Sequence, residues 1–343
     1  MRAVRISKHG GLEVLEIVEL ADPEPGPGEV LVRMEAVSIN HLDLWVRRGV
    51  PGHTFPLPII PTSDGAGTVA ALGVGVRGVA VGDEVAVFPG VSCGQCPACW
   101  SGDDHLCSDY GILGESCDGL CAELATVPAA NVLRRPAGLG APETAAVLLA
   151  SLTAWNMLVR RAMLQPGELV LVQVGGSGVS SAAIQIARLL GARVIATASS
   201  KEKCVRAVDL GAERCIDLGE DDTVRAVKEW SGGRGVDVVI DHVGRDTFAA
   251  SMRSLARAGR YVTCGATTGP KVDLMLNHVF FKSLSILGST MGSKGDLARI
   301  LKLVEQSRLA PVIGAAFTGL EQVVDAHRVL EAREVFGKVV VRI

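Results

Sequence analysis

The sequence predicts an α/β protein in two parts: a mainly antiparallel β region, then a doubly wound parallel sheet, with the chain returning to the first part at its end. Three observations predict it. At 343 residues the chain exceeds what one simple core serves, so two domains are expected. Residues 1 to 150 are rich in Gly, Pro and Val and carry short alternating runs. From 151 onward apolar strand patterns alternate with helix patterns, as a parallel sheet covered on both faces requires.

The runs EVLVRMEAV (29–37) and DEVAVF (83–88) alternate apolar and polar residues and read as antiparallel strands between turns. LVLVQV (169–174) is an unbroken apolar strand, followed by a Gly/Ser turn and the helix pattern VSSAAIQIARLL. RVIATA (193–198), a helix from Lys201, a short strand near CIDL and a helix over Val224–Trp230 follow. Then come VDVVIDHV (236–243), a helix over Phe248–Ala258, RYVTCG (260–265) and SLSILGS (283–289). Two helix patterns, Asp296–Gln306 and Leu320–Glu331, precede a last strand, GKVVVRI. The expected boundaries are 1–150, 151–289 and 290–343, the third segment rejoining the first.

Composition excludes several classes. Hydrophobic residues make up 48% and charged residues 21%, with a formal net charge of -3 and no basic run. That offers no electrostatic footprint for nucleic acid or anionic membranes. No apolar run is long enough to cross a bilayer, and the first residues lack a signal pattern. A cytoplasmic protein acting on a small molecule is expected.

Four of the nine cysteines lie in CGQCPACWSGDDHLC (93–107). Cys93, Cys96, Cys99 and Cys107 have the C-x2-C-x2-C-x7-C spacing of a closed four-thiolate zinc site, with Zn–S near ~2.3 Å. One structural zinc per chain is expected, in a lobe over about 91–110. The other five, Cys117, Cys121, Cys204, Cys215 and Cys264, are scattered and read as reduced or buried thiols.

The strand–turn–helix at LVLVQVGGSGVSSAAIQIAR has the placement that a dinucleotide's pyrophosphate needs, with backbone N–H groups at the helix start facing it. Gly175 fills the first position of the G-x-G-x-x-G pattern, Ser177 and Ser180 replace the second and third glycines, and Gly178 and Val179 lie between. At the end of the next strand an acid would grip a ribose 2′-hydroxyl. Here Ala198 stands instead, followed by Ser199, Ser200 and Lys201, residues suited to a 2′-phosphate. NADPH is therefore expected in preference to NADH.

At these residues the chain resembles the medium-chain dehydrogenase/reductase superfamily. Three blocks carry the likeness: the cysteine cluster, the stretch GAGTVAALGVGV (65–76) with Gly67 and Gly73, and GELVLVQVGGSGVSSAAIQIAR. The resemblance implies a Rossmann doubly wound parallel sheet inserted in a GroES-like, mainly antiparallel β catalytic domain, with an active-site cleft at the junction. It also implies that Gly265, Ala266, Thr267, Leu287 and Gly288 flank the nicotinamide and that Lys338 reaches a phosphate or ribose. Homodimers or tetramers, through edge pairing of the Rossmann sheet, are implied too.

The chain departs from the family's zinc-dependent members at the catalytic metal. Asn40 in VSINHLD stands where they carry Cys, Thr62-Ser63-Asp64 where they carry Gly-His-Glu, and Leu149 or Ala150 where a third ligand is usual. A zinc Lewis acid needs about three protein ligands. Hydrogen-bond donors are then expected to stabilise the developing oxyanion, Asn40 first, with His41, Ser63 and Thr153 behind it. Neutral donors suit a conjugated acceptor, so the expected activity is reduction of activated C=C bonds or quinones. The alternatives are an alcohol dehydrogenase or carbonyl reductase, or a cofactor-binding protein with little catalysis.

Overall fold

Alternating burial makes the long strand β1 (Glu29–Ile39) the spine of the first unit, one face buried along most of its length. The structure is a computed structural model, and it describes residues 1–343. Two compact units form: Met1–Leu149 with Ser293–Ile343, and Ala150–Gly292. In the first, helix α1 (His41–Arg48) follows β1, and strands β2 (Asp64–Leu72), β3 (Glu84–Val87), β4 (Leu124–Pro128) and β5 (Val132–Arg134) follow it. Antiparallel pairing joins β1 to β2 and β4, β2 to β3, and β3 to β5. Gly67 is required in β2 because a Cβ there would collide with the Arg33 carbonyl of β1. Helix α2 (Ala141–Trp155) begins in this unit.

The second unit holds β6 (Leu169–Val172), α3 (Gly178–Leu189), β7 (Arg193–Ala198), α4 (Lys201–Asp209), β8 (Arg214–Asp217) and α5 (Thr223–Trp230). After these come β9 (Val236–Asp241), α6 (Arg245–Ser254), β10 (Leu255–Thr263), α7 (Leu276–Lys282) and β11 (Ser285–Gly288). The strands form one parallel sheet in the order β8–β7–β6–β9–β10–β11. The order reverses between β6 and β9, the switch point where α/β sheets bind ligands at the strands' carboxyl ends. All four residues of β6 are buried, which is why the sequence reads there as an unbroken apolar run.

The remaining chain returns to the first unit with α8 (Lys294–Glu305), β12 (Ile313–Thr318), α9 (Val323–Glu331) and β13 (Lys338–Arg342). Strand β13 pairs antiparallel with β1 and parallel with β12.

Three expectations are corrected. The helix read over Phe248–Ala258 ends at Ser254, because Leu255 pairs with Val236 and Ala258 turns with φ +58°. Strand β12 is missing from the sequence reading; a glycine near its start and only partial burial weaken its pattern. Cys204 and Cys215 are joined by a disulfide between α4 and β8, not separate thiols, because a tight connection brings their Cα atoms to 5.1 Å.

Candidate active site

Three neighbouring strands of the first unit converge on one buried polar cluster. Asn40 follows β1 in extended conformation (φ -114°, ψ 163°) and caps α1, its N–H donating to Asp43 Oδ2 at 2.6 Å. Asp64 opens β2 opposite Ser38, and Lys338 opens β13 just before Val339, which pairs with Ile39. Asn40 Nδ2 donates to Asp64 Oδ2 at 2.9 Å and to the Ser38 carbonyl at 3.3 Å. Lys338 Nζ donates to Asp64 Oδ2 at 3.1 Å and to Asn40 Oδ1. The Leu149 N–H donates to the other Asp64 oxygen at 2.8 Å.

Asp43 and Asp64 have no solvent exposure, and Lys338 is only 5% exposed. Burial pushes the Asp43 carboxyl up to about 7, with Asp64 adding to the rise and the Asn40 N–H and Lys338 opposing it. The cluster thus pairs one ammonium with the Asp64 carboxylate, while the Asp43 carboxyl, raised by burial, accepts the Asn40 N–H.

This geometry revises several expectations. Both amide hydrogens of Asn40 are engaged, so it holds Asp64 and Lys338 in place and has none left for a substrate. Ser63 has no exposure, and its Oγ meets no partner. Lys338 is turned into the cluster, where Asp64 and Asn40 take two of its three ammonium hydrogens. His41 is half-buried at the start of α1, edge-on to Trp45 with ring centroids 5.6 Å apart. Thr153 is a buried residue of α2, in the second unit. Thr62 carries φ +80°, an uncommon strain for a β-branched residue, and its carbonyl is held by the Leu120 N–H at 2.8 Å.

The four lobe cysteines do come together. Their sulfurs lie within 4.8 Å of one another, with Cys96–Cys99 and Cys93–Cys107 at 3.5 Å and Cys93–Cys99 at 4.0 Å. Tetrahedral ligands of a zinc ion would stand about 3.8 Å apart, so the set fits the metal. The lobe is tied down by Asp104, whose Oδ1 accepts the Lys294 N–H at 3.0 Å.

In the second unit Ser177 caps α3: its Oγ accepts the Ser180 N–H at 3.0 Å. The N–H groups of Gly178 and Val179, in the first turn, have no carbonyl within the helix to bond. A pyrophosphate is the group such a turn accommodates, so the residues fit a dinucleotide. Ser199 is exposed after β7, Ser200 caps α4 through the Lys203 N–H, and Lys201 Nζ pairs with Glu220 Oε1 at 2.8 Å. Gly265, Ala266 and Thr267 follow β10, half-buried, while Leu287 and Gly288 end β11. The sequence reading missed His242, which follows β9 beside the switch point and touches both loop serines. Its place just past a strand end next to the phosphate-loop strand was the available signal.

Residues 26–137 match the alcohol dehydrogenase GroES-like domain, and residues 178–306 match the zinc-binding dehydrogenase family. An alcohol dehydrogenase of Geobacillus stearothermophilus is 31% identical over 96% of each chain. The chain belongs to the medium-chain dehydrogenase/reductase superfamily. This medium-chain oxidoreductase is also 31% identical to an acryloyl-coenzyme A reductase of Sulfurisphaera tokodaii, over 95% of its own length and 96% of that protein. A solved NAD-dependent alcohol dehydrogenase is 48% identical, covers 100% of both chains and superposes with a TM-score of 0.96. As a medium-chain dehydrogenase/reductase the chain is an enzyme, an NAD(P)-dependent oxidoreductase.

Proposed function

We propose that this oxidoreductase reduces activated carbon–carbon double bonds or quinones with NADPH, by hydride transfer that uses no catalytic zinc. The observation that carries the reading is the Lys338 ammonium bonded to Asp64 and Asn40. By resemblance, Asn40 and the Ser63–Asp64 pair stand where zinc-dependent relatives place metal ligands. An amide and a hydroxyl are poor zinc ligands, and a resident ammonium repels a second cation from the same oxygens. The name of the acryloyl-coenzyme A reductase relative supports a conjugated acceptor.

The reduced nicotinamide, when bound, supplies a hydride to the acceptor's β-carbon. The protein must then stabilise the negative charge that moves to the carbonyl oxygen, while a proton from water reaches the α-carbon. His41 is the donor we assign to that oxygen, since the Asn40 amide hydrogens are engaged in the cluster and Ser63 has no exposure. Asn40 orients the Lys338–Asp64 pair. Ser199 and Lys201 favour the 2′-phosphate of NADPH.

We also propose a homodimer or tetramer. Strand β11 is an open edge of its sheet, and the preceding helix exposes Leu276, Phe280 and Phe281, an apolar surface suited to a second copy.

The test is NADPH oxidation with an enone, an enoyl thioester, a quinone and an aldehyde, each with and without chelator. Turnover of the conjugated acceptors that survives chelation is expected. Turnover confined to the aldehyde, and lost on chelation, would establish the alcohol dehydrogenase reading instead.

A further inference from the structure

We propose that His242 is a positioning residue of the dinucleotide site, fixing the Ser177 hydroxyl as a donor to a pyrophosphate oxygen; this rests on the NAD(P) dependence concluded above. The argument is a count of protons. Ser180 Oγ lies 2.6 Å from the Gln173 carbonyl, which only accepts, so the single hydroxyl proton of Ser180 goes there. Ser180 Oγ also lies 3.0 Å from His242 Nε2, so in that contact the serine must accept. His242 therefore carries a proton on Nε2.

The same N–H faces Ser177 Oγ at 2.8 Å. Ser177 Oγ already accepts the Ser180 N–H at 3.0 Å. Its two lone pairs are then filled by two donors, and its own proton must point elsewhere. That proton joins the N–H groups of Gly178 and Val179 in the first turn of α3, three donors awaiting one anion. With the other tautomer, Ser177 would donate to His242 and offer a lone pair, which repels phosphate.

The pair also accounts for the serines in place of the pattern's second and third glycines. Ser180 is fully buried and serves as the second acceptor of the imidazole; Ser177 is half-buried and carries the donor outward. His242 is held from behind, its carbonyl accepting the Thr267 N–H at 3.3 Å.

The experiment is calorimetric titration of the intact protein with ADP-ribose, which carries the pyrophosphate, and with adenosine, which lacks it. His242→Leu and Ser177→Ala should each weaken ADP-ribose binding about tenfold, the effect of one hydrogen bond to a charged group, and leave adenosine unchanged. Ser177→Ala combined with His242→Leu should lose no more than either alone. His242→Gln keeps a donor at a similar reach and should bind within about threefold of wild type. In turnover the leucine variant should raise KM for the dinucleotide and leave kcat unchanged. Equal ADP-ribose binding in wild type and His242→Leu, additive losses, or equal losses in the leucine and glutamine variants overturn the assignment while leaving NAD(P) binding intact. A wild-type protein that binds no ADP-ribose overturns both.

Discussion

Lys338 and Asp64, 274 residues apart in the chain, meet as a buried ion pair with Nζ 3.1 Å from Oδ2. Removing one partner leaves the other charge buried and alone, which costs about 3–5 kcal/mol. Lys338→Met should lower stability on that scale, and adding Asp64→Asn should recover part of it. Urea unfolding of the two variants checks this; equal stability in wild type and Lys338→Met refutes it.

Asp43 gives a pH dependence with a definite sign. Its folded carboxyl is raised from 3.8 to about 7, so between those values the folded state holds a proton that the unfolded state has released. Stability should therefore fall as pH rises through that window, by up to about 1.4 kcal/mol per pH unit, and level off above it. Asp43→Asn keeps an acceptor for the Asn40 N–H and should flatten the decline. Unfolding midpoints of both proteins at four pH values decide it.

The disulfide predicts a thiol count. Denatured without reductant and with a zinc chelator, the chain should titrate seven thiols, rising to nine after reduction. The bridge spans 11 residues, a short loop worth about 2–3 kcal/mol. Reduction should lower the midpoint of thermal unfolding, and Cys204→Ser should remove that response.

Elemental analysis should find close to one zinc per chain, lost with Cys99→Ala. A value near two would reinstate a second metal site.

Much of the fold was legible because burial and periodicity agree. The unbroken run LVLVQV announces a central parallel strand, and the alternation of EVLVRMEAV announces a half-buried one. The cysteine spacing names its own site because four thiolates so close in sequence need only local turns to meet. The Lys338–Asp64–Asn40 cluster was not legible, since its members come from strands far apart in the chain and only the sheet order makes them neighbours. The roles of Asn40 and Ser63 turned on where protons and exposure fall, which residue type alone does not say. The Cys204–Cys215 bridge was hidden for a different reason: nothing in a spacing of 11 marks a helix and a strand that fold back on each other.

Lys201 is paired with Glu220, which competes with any phosphate for the same ammonium. Glu220→Gln should raise the ratio of kcat/KM for NADPH over NADH, and Lys201→Ala should lower it. Steady-state kinetics with both dinucleotides measures the ratio; an unchanged value in both variants removes Lys201 from recognition.

Strand β13 has a consequence for the order of synthesis. Asp64 leaves the ribosome long before Lys338, so through most of translation its carboxylate has no partner cation. The sheet of the first unit also lacks its β13 rung until residue 342 emerges. The second unit, by contrast, has all six of its strands once residue 288 is out. The part encoded in the middle is thus the first whose sheet can close, and the half that is made first waits longest for its final counter-charge.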